Sequence, residues 1–123
     1  MKKIVTPLVL LVLLGFLPRA QAQGIAPEEA GKYIGKQQTV CGKVFKAFYA
    51  TRAKGEPTLL DLGRSHLFTV LIWGEDRNKF EKPPETLYGG KQICVTGIIK
   101  NYRGRPEMIV RAPSQIKAED PPR

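Results

Sequence analysis

The segments QQTVCGKV (residues 37–44) and KQICVTGII (residues 91–99) share one pattern, in which apolar and polar residues alternate through a central glycine. Alternation with a period of two predicts a half-buried β-strand. A glycine inside a strand is typical of a sharply bent strand, because the backbone can coil where no Cβ is present. Gly42 and Gly97 therefore indicate two coiled strands of a small closed barrel.

Three further segments have the β-branched and aromatic composition of strands. The predicted strands cover residues 37–50, 58–62, 68–73, 91–102 and 107–111, with helical turns at 27–34 and 74–80, a loop at 82–85 and a turn at 103–106. Five strands, a coiled first strand and an extra segment between the third and fourth are the plan of the OB fold. The predicted fold class is therefore all-β, a five-stranded OB-fold barrel with short helical turns.

The two cysteines fit this plan, in which the first strand lies beside the fourth. Val40 and Val95 belong to the inward sets of these strands, so Cys41 and Cys94 point outward from neighbouring strands. A cross-strand disulfide needs this arrangement, and its 53-residue loop would contribute about 4 kcal/mol. Two free thiols are the alternative. With His66 the cysteines would supply only three metal ligands, so we expect no metal site and no cofactor.

The first 22 residues have the features of a signal peptide. Lys2 and Lys3 precede an apolar run over residues 4–17, and Ala20 and Ala22 form the small-residue pattern of a cleavage site. An uncleaved membrane anchor is the alternative. We expect an exported protein, periplasmic or secreted, with no membrane span after cleavage. The predicted organisation is a signal peptide at 1–22, an N-terminal extension with a helical turn at 23–36, the barrel at 37–116 and a flexible tail at 117–123.

The chain is basic, with 20 Lys and Arg against 11 Asp and Glu and a net charge of +9 over 123 residues. Loss of Lys2, Lys3 and Arg19 with the leader lowers this charge to +6. Such an excess favours polyanionic partners, such as nucleic acid, acidic glycans or anionic surfaces. The alternative is a solvated basic surface with no polyanionic ligand.

A family resemblance covers residues 33–116. The residues that carry it are YIGK (33–36), VCGKV (40–44), KGEP and TLLDLG (54–63), FTVLIW (68–73), GKQICVTG (90–97), YRGRPE (102–107) and PSQI (113–116). In these motifs the chain resembles small exported bacterial OB-fold proteins, and it is similar to the OB module attached to some extracellular sugar-nonspecific endonucleases. The resemblance implies nucleic-acid binding. It supplies no catalytic residues, because the nuclease chemistry of such proteins lies in a separate domain.

OB barrels bind single strands across the outer face of strands two and three, between the loops that join strands one and two and strands four and five. Aromatic rings stack on bases there, and cations contact phosphates. The candidate nucleic-acid-binding residues are Tyr49, Arg52, Lys54, Arg64, Lys100, Tyr102, Arg103 and Arg105. As alternatives, the two tyrosines would cover the barrel ends and the arginines would be solvated turn residues. The sequence assigns Phe45, Phe48, Phe68 and Phe80 to the core.

No set of residues has the pattern of an enzyme active site. His66 adjoins Ser65 at the wrong separation for a shared nucleophile and base, and adjacent carboxylates such as Glu75 and Asp76 suit a helix start. We therefore expect a non-enzymatic binding module for single-stranded nucleic acid or another polyanion, which could act beside a separate nuclease. The alternative is an OB module that binds an envelope protein or a small ligand and has no nucleic-acid function.

Overall fold

A computed structural model of the chain describes residues 24–119. The predicted signal peptide and the last four residues of the predicted tail lie outside this range. The strands are β1 (Gln37–Tyr49), β2 (Thr58–Leu62), β3 (Phe68–Ile72), β4 (Gln92–Tyr102), β5 (Arg105–Ile109) and β6 (Ile116–Ala118), and the helices are α1 (Pro84–Tyr88) and the 3-10 helices Pro27–Tyr33, Arg64–His66, Gly74–Lys79 and Pro113–Gln115. Within residues 24–119, no helix has the length and apolar character needed to span a bilayer.

The first five strands close into a barrel because β1 is long enough to pair on both sides. Its first half, Gln37–Lys43, is antiparallel to β4, and its second half, from Val44 to Tyr49, is antiparallel to β2. The remaining order is β2, β3, β5, β4, with β3 and β5 parallel. This is the predicted five-stranded OB-fold barrel. The sixth strand, β6, pairs with residues 93–95 of β4, on the edge opposite to β1.

The two mid-strand glycines are needed for close packing as well as for bending. A Cβ atom on Gly42 would lie 2.7 Å from Cγ of Pro27, in the N-terminal 3-10 helix. A Cβ atom on Gly97 would lie 3.0 Å from Sδ of Met108 in β5. The first glycine therefore lets the N-terminal helix seat against the barrel, and the second lets β5 cross β4 closely.

Inward side chains of all five barrel strands form one apolar core. The largest fully buried members are Phe68, Leu60, Leu62, Ile72, Ile93, Ile99, Met108, Val40, Val44, Val70, Val95 and Val110. Phe80, also predicted to be core, is buried and meets Tyr88 of α1 edge to face, with ring centroids 6.1 Å apart. The segment between β3 and β4 thus contributes to the same core as the strands.

The predicted disulfide between Cys41 and Cys94 is present, and the two residues are register partners in β1 and β4. Both lie on the outer side of the barrel wall, as the alternation indicates. Cys94 is nonetheless buried, because the end of the described chain folds over it: Oε1 of Glu119 lies 3.0 Å from its Sγ atom. Gly24 lies close to the Sγ atom of Cys41, since a Cβ atom on Gly24 would overlap that sulfur.

The structure differs from the predicted elements near the ends of β4 and β5. The turn contains only Arg103 and Gly104, whose φ angles are 50° and 83°, and the side chain of Asn101 accepts a hydrogen bond from the Gly104 amide at 2.8 Å. Two successive positive φ angles are those of a two-residue hairpin turn. Strand β5 therefore begins at Arg105, two residues before the predicted start.

Two other predicted irregular segments are ordered. The predicted loop at 82–85 contains the start of α1, with Pro84 at the first helical position, where proline's missing amide hydrogen costs nothing. Lys117 and Ala118, assigned to the tail, belong to β6, and Lys117 pairs with Cys94. The sheet thus continues to Ala118, two residues beyond the predicted end of the barrel at residue 116.

Candidate nucleic-acid interface

A β-bulge in β1 decides which of its side chains face outward. Val44 pairs with Leu62 of β2, whereas Lys46 pairs with the adjacent residue, Asp61. Phe45 is therefore one extra residue in β1, which is the definition of a bulge. Beyond it, the inward and outward positions of β1 are exchanged relative to simple alternation from Val44.

The core assignments of Phe45 and Phe48 are wrong, since the two rings are 51% and 50% exposed. Phe45 is already outward by alternation from Val44, whereas Phe48 is outward because of the exchange that follows the bulge. Alternation counted from Val44 without a bulge would put Phe48 inside and Tyr49 outside. The bulge reverses both, so Tyr49 is turned towards the end of the barrel.

The ring of Tyr49 is half-buried and stacks with Arg77, whose guanidinium carbon lies 3.4 Å from the ring centroid. Arg77 also donates to both carboxylate oxygens of Glu85, at 2.7 and 3.1 Å, and to the hydroxyl of Thr58. The hydrogen bond to Glu85 raises the pKa of Arg77, and the same bond lowers the pKa of Glu85. One face of the Tyr49 ring is thus covered by Arg77.

The outward side chains of the remaining strands align in two rows across the face of the barrel. The polar row, read through the register pairs, is Lys46, Asp61, Thr69, Glu107 and Lys100. The apolar row is parallel to the polar row and lies two positions from it on β1, β2, β3 and β5. Its members are Phe48, Leu59, Leu71 and Ile109. The outer face therefore offers a polar line beside an apolar one, in which Phe48 is exposed, Leu59 and Ile109 are half-buried and Leu71 is buried.

The two carboxylates of the polar row are in different environments. Asp61 accepts hydrogen bonds from the Thr69 hydroxyl at 2.9 Å and contacts Nδ1 of His66 at 2.6 Å. Glu107 makes no hydrogen bond or ion pair with the described residues, and burial raises the pKa of its carboxyl group, with a smaller opposing effect from Lys100. Asp61 is thus held by two side chains, whereas Glu107 has no such partner among the described residues.

A groove of about 500 Å³ continues both rows past β5. Its lining includes Ile109 of the apolar row and Lys100 of the polar row, together with Ile98 and Arg111. Ile98 is 45% exposed. The surface available to an extended ligand therefore runs from the bulge in β1 to the seam between β4 and β5.

Apart from Tyr49, the predicted site residues are exposed, and they lie in three places. The end of the face where β3 begins holds Arg64, Tyr102, Arg103 and Arg105, and the β1–β2 loop, where β3 ends, holds Arg52 and Lys54. Lys100 lies between these two end groups, in the polar row. The five residues of β3 separate the groups by about 17 Å, at about 3.3 Å per residue. The basic residues therefore flank the outer face at both ends and do not converge on one point.

Three aromatic rings on the outer surface have a cation close to them. The pairs are Lys43 with Phe45 at 5.2 Å, Lys46 with Phe48 at 5.8 Å, and Arg103 with Tyr102 at 5.4 Å, measured from the cationic group to the ring centroid. Only the third pair lies among the predicted site residues. The repeated Lys-x-Phe spacing in KVFKAF (residues 43–48) is the sequence signal that could have identified the other two.

A closed barrel of five strands, with β3 parallel to β5 and a helical segment between β3 and β4, defines the chain as an OB-fold protein. Comparison with solved structures agrees. The chain is similar to asparaginyl-tRNA synthetase from Pyrococcus horikoshii (16% identity, 80% of this chain and 23% of that chain, TM-score 0.56) and to aspartyl-tRNA synthetase from Entamoeba histolytica (18%, 81% and 22%, TM-score 0.55). It is also similar to the S. pombe Stn1–Ten1 complex (18% identity, 68% and 57%, TM-score 0.51).

At these identities the likeness shows the fold alone. The chain spans less than a quarter of the length of the two synthetases and 57% of the Stn1–Ten1 chain. No protein-family model and no curated protein sequence matches it.

Proposed function

We propose that this chain is an exported OB-fold module that binds single-stranded nucleic acid, without sequence preference, across the outer face of the barrel. The observation that carries the proposal is the set of exposed aromatic rings with adjacent cations, at Phe45, Phe48 and Tyr102. Stacking of a base on such a ring contributes about 1–3 kcal/mol, and it tolerates any base because every base has a π-face. The adjacent cation is placed to contact the phosphate of the stacked nucleotide.

The position of these groups supports the proposal. Phe48 stands on the outer face formed with β2 and β3, which is where OB barrels take their ligands. Basic residues at both ends of this face would hold the backbone, while bases lie over the apolar row between them. Two of the structures that share the fold belong to tRNA synthetases, which act on tRNA.

Export is part of the proposal. The predicted leader would direct the chain to an oxidising compartment, in which disulfides such as Cys41–Cys94 form and persist. We propose the periplasm or the medium as its location and assign no catalytic role to the chain.

The apolar row supports a second candidate function, the binding of a protein. Phe48, Leu59, Leu71 and Ile109 follow one another in register across four strands. A line of apolar side chains of this kind is suited to a protein partner, such as an envelope protein or a separate nuclease. Salt separates the candidates, because binding to a polyanion weakens with salt and apolar association does not.

The test is fluorescence anisotropy of the full protein with a labelled ten-nucleotide oligothymidine and oligouridine at low and moderate salt. If about three phosphates are contacted, affinity should fall about twentyfold for a fourfold increase in salt. Phe48→Ser should weaken binding about fivefold or more, since one stacking platform is lost. Ile34→Ser is the matched control, because Ile34 is also exposed, at 41%, but lies outside the face.

Absence of measurable affinity at low salt would refute nucleic-acid binding. Equal losses for the Phe48 and Ile34 variants would show that the outer face is not the binding surface. A protein partner that is retained at high salt and lost in Phe48→Ser would establish the second candidate instead.

A further inference from the structure

A depression of about 380 Å³ lies where the bulge in β1 meets the turn between β2 and β3. Its lining residues are Phe45, Lys46, Asp61, Gly63, Arg64, Ser65 and His66. The volume is within the range of small-ligand sites, about 300–1,000 Å³. Of these residues only Arg64 belongs to the predicted site.

The turn holds His66 in a defined position. Ser65 and His66 have φ angles of 62° and 53°, a left-handed conformation that side chains other than glycine rarely adopt. Nδ1 of His66 lies 2.6 Å from Oδ2 of Asp61, and the other carboxylate oxygen accepts a hydrogen bond from Thr69. Asp61 is therefore fixed through both oxygens, and it in turn fixes the imidazole ring.

This contact determines what the other ring nitrogen can do. An ionised carboxylate only accepts hydrogen bonds, so Nδ1 of His66 carries the hydrogen. Nε2 is then an acceptor when the ring is neutral and a donor when the ring is protonated. Within residues 24–119, Nε2 makes no hydrogen bond, so it is available to a ligand.

The depression combines an aromatic ring with an excess of positive charge. The charged groups on the elements around His66 are Lys43 and Lys46 of β1, Asp61 of β2, Arg64 of the turn, and Arg105 and Glu107 of β5. Lys46 and Arg64 line the depression itself against the single carboxylate of Asp61, which His66 occupies. Protonation of His66 adds a third cation, with its charge balanced by Asp61.

We propose that this depression is a nucleotide subsite, in which Lys46, Arg64 and Nε2 of protonated His66 hold a phosphate while the base stacks on Phe45. A protonated imidazole has a hydrogen on Nε2 and one more positive charge, so phosphate binding at this subsite strengthens on acidification. This inference deepens the proposed function, and it rests on that function where the ligand is a single strand of nucleic acid. The same chemistry also accepts a free nucleotide, and the experiment separates these two sources.

The first arm is proton NMR of the full protein during titration with the dinucleotide UpU. His66 is the only histidine, so its two carbon-bound ring protons are assigned without ambiguity. UpU is chosen because its phosphodiester keeps one negative charge across the pH range, whereas a phosphate monoester titrates near pH 6. Saturable shifts of the His66 signals are expected, with affinity about threefold to tenfold higher at pH 5.5 than at pH 7.5.

The second arm compares variants by anisotropy with the labelled ten-nucleotide strand at both pH values. His66→Asn keeps a donor towards Asp61 but takes up no proton, so the pH dependence should be lost while the fold is retained. Arg64→Gln should weaken binding at both pH values. Lys117→Gln is the matched control, since it also removes one exposed positive charge, and Lys117 lies in β6 opposite Cys94 and lines neither this depression nor the groove.

The outcomes are distinct. If UpU shifts the His66 signals but the ten-nucleotide strand does not bind at low salt, the subsite takes short, free nucleotide ligands such as UpU and the proposed function fails. If the strand binds while the His66 signals do not move and His66→Asn keeps the pH dependence, the subsite is overturned and the proposed function stands. If neither ligand binds, both are refuted.

Discussion

Replacement of both Cys41 and Cys94 by alanine should lower the free energy of unfolding by about 4 kcal/mol. The two residues are 53 positions apart in the sequence, one within β1 and the other near the start of β4. Cross-linking a loop of this length removes about 14 cal/mol/K of entropy from the unfolded chain, which is about 4 kcal/mol at 25 °C. This crosslink joins β1 and β4, whose pairing closes the barrel. Of the paired barrel strands, these two are the furthest apart in sequence, so the constraint acts on the pairing that costs most entropy to form.

The measurement is urea unfolding followed by far-UV circular dichroism, with the oxidised wild type as reference. For an m-value of about 1–2 kcal/mol/M, the expected decrease in the midpoint is about 2–4 M. Thr39→Ala with Thr96→Ala is the matched control, because these residues are also register partners on the outer side of β1 and β4, joined only by a 2.7 Å hydrogen bond. That pair should cost about 1 kcal/mol. A cysteine effect no larger than the threonine effect would refute the loop-entropy argument.

Two further predictions concern single side chains. Glu85→Gln should lower stability by about 1–3 kcal/mol at pH 7, because Arg77 loses its charged acceptor. The pKa of Glu85 is lowered in the folded protein, so its contribution to stability is complete above the unfolded-state pKa and is lost as the pH falls through the folded-state pKa. The free energies of unfolding of the wild type and Glu85→Gln, measured in urea, should therefore converge in acid. A difference that stays constant with pH would contradict the assignment. Gly55→Ala should lower the free energy of unfolding, measured by thermal denaturation, by about 2 kcal/mol or more. The reason is that φ is +78° at this position and the new Cβ would lie 2.8 Å from the Trp73 ring. Gly90→Ala, at φ +77° with nothing within 4 Å, should cost only the left-handed backbone penalty of about 1 kcal/mol, and equal effects would show that Trp73 gives way.

The barrel and its crosslink were predictable because they depend on period-two alternation within short segments. Val40 and Val95 are fully buried register partners, and their neighbours Cys41 and Cys94 consequently meet. Each strand needs one buried face, so a local pattern is enough to place these residues.

The composition of the outer face was less predictable, because a bulge is a property of a strand pair. Nothing within β1 alone reveals that Val44 and Lys46 pair with adjacent residues of β2. Phe48 therefore has the sequence context of a core residue and the position of a surface one. The shorter β4–β5 turn was missed for a related reason, since Pro106 marks a turn by composition although it pairs with Asn101 as a strand residue.

The contacts around the Cys41–Cys94 bond have a practical consequence. Gly24 lies close to one sulfur and Glu119 to the other, so the described chain enters and leaves the barrel beside the same covalent bridge. That bridge lies on the β1–β4 seam, whereas the proposed binding face is centred on β2 and β3. A dye, surface linker or fused domain attached at either end would thus share one anchoring side and leave the opposite strands open to solution.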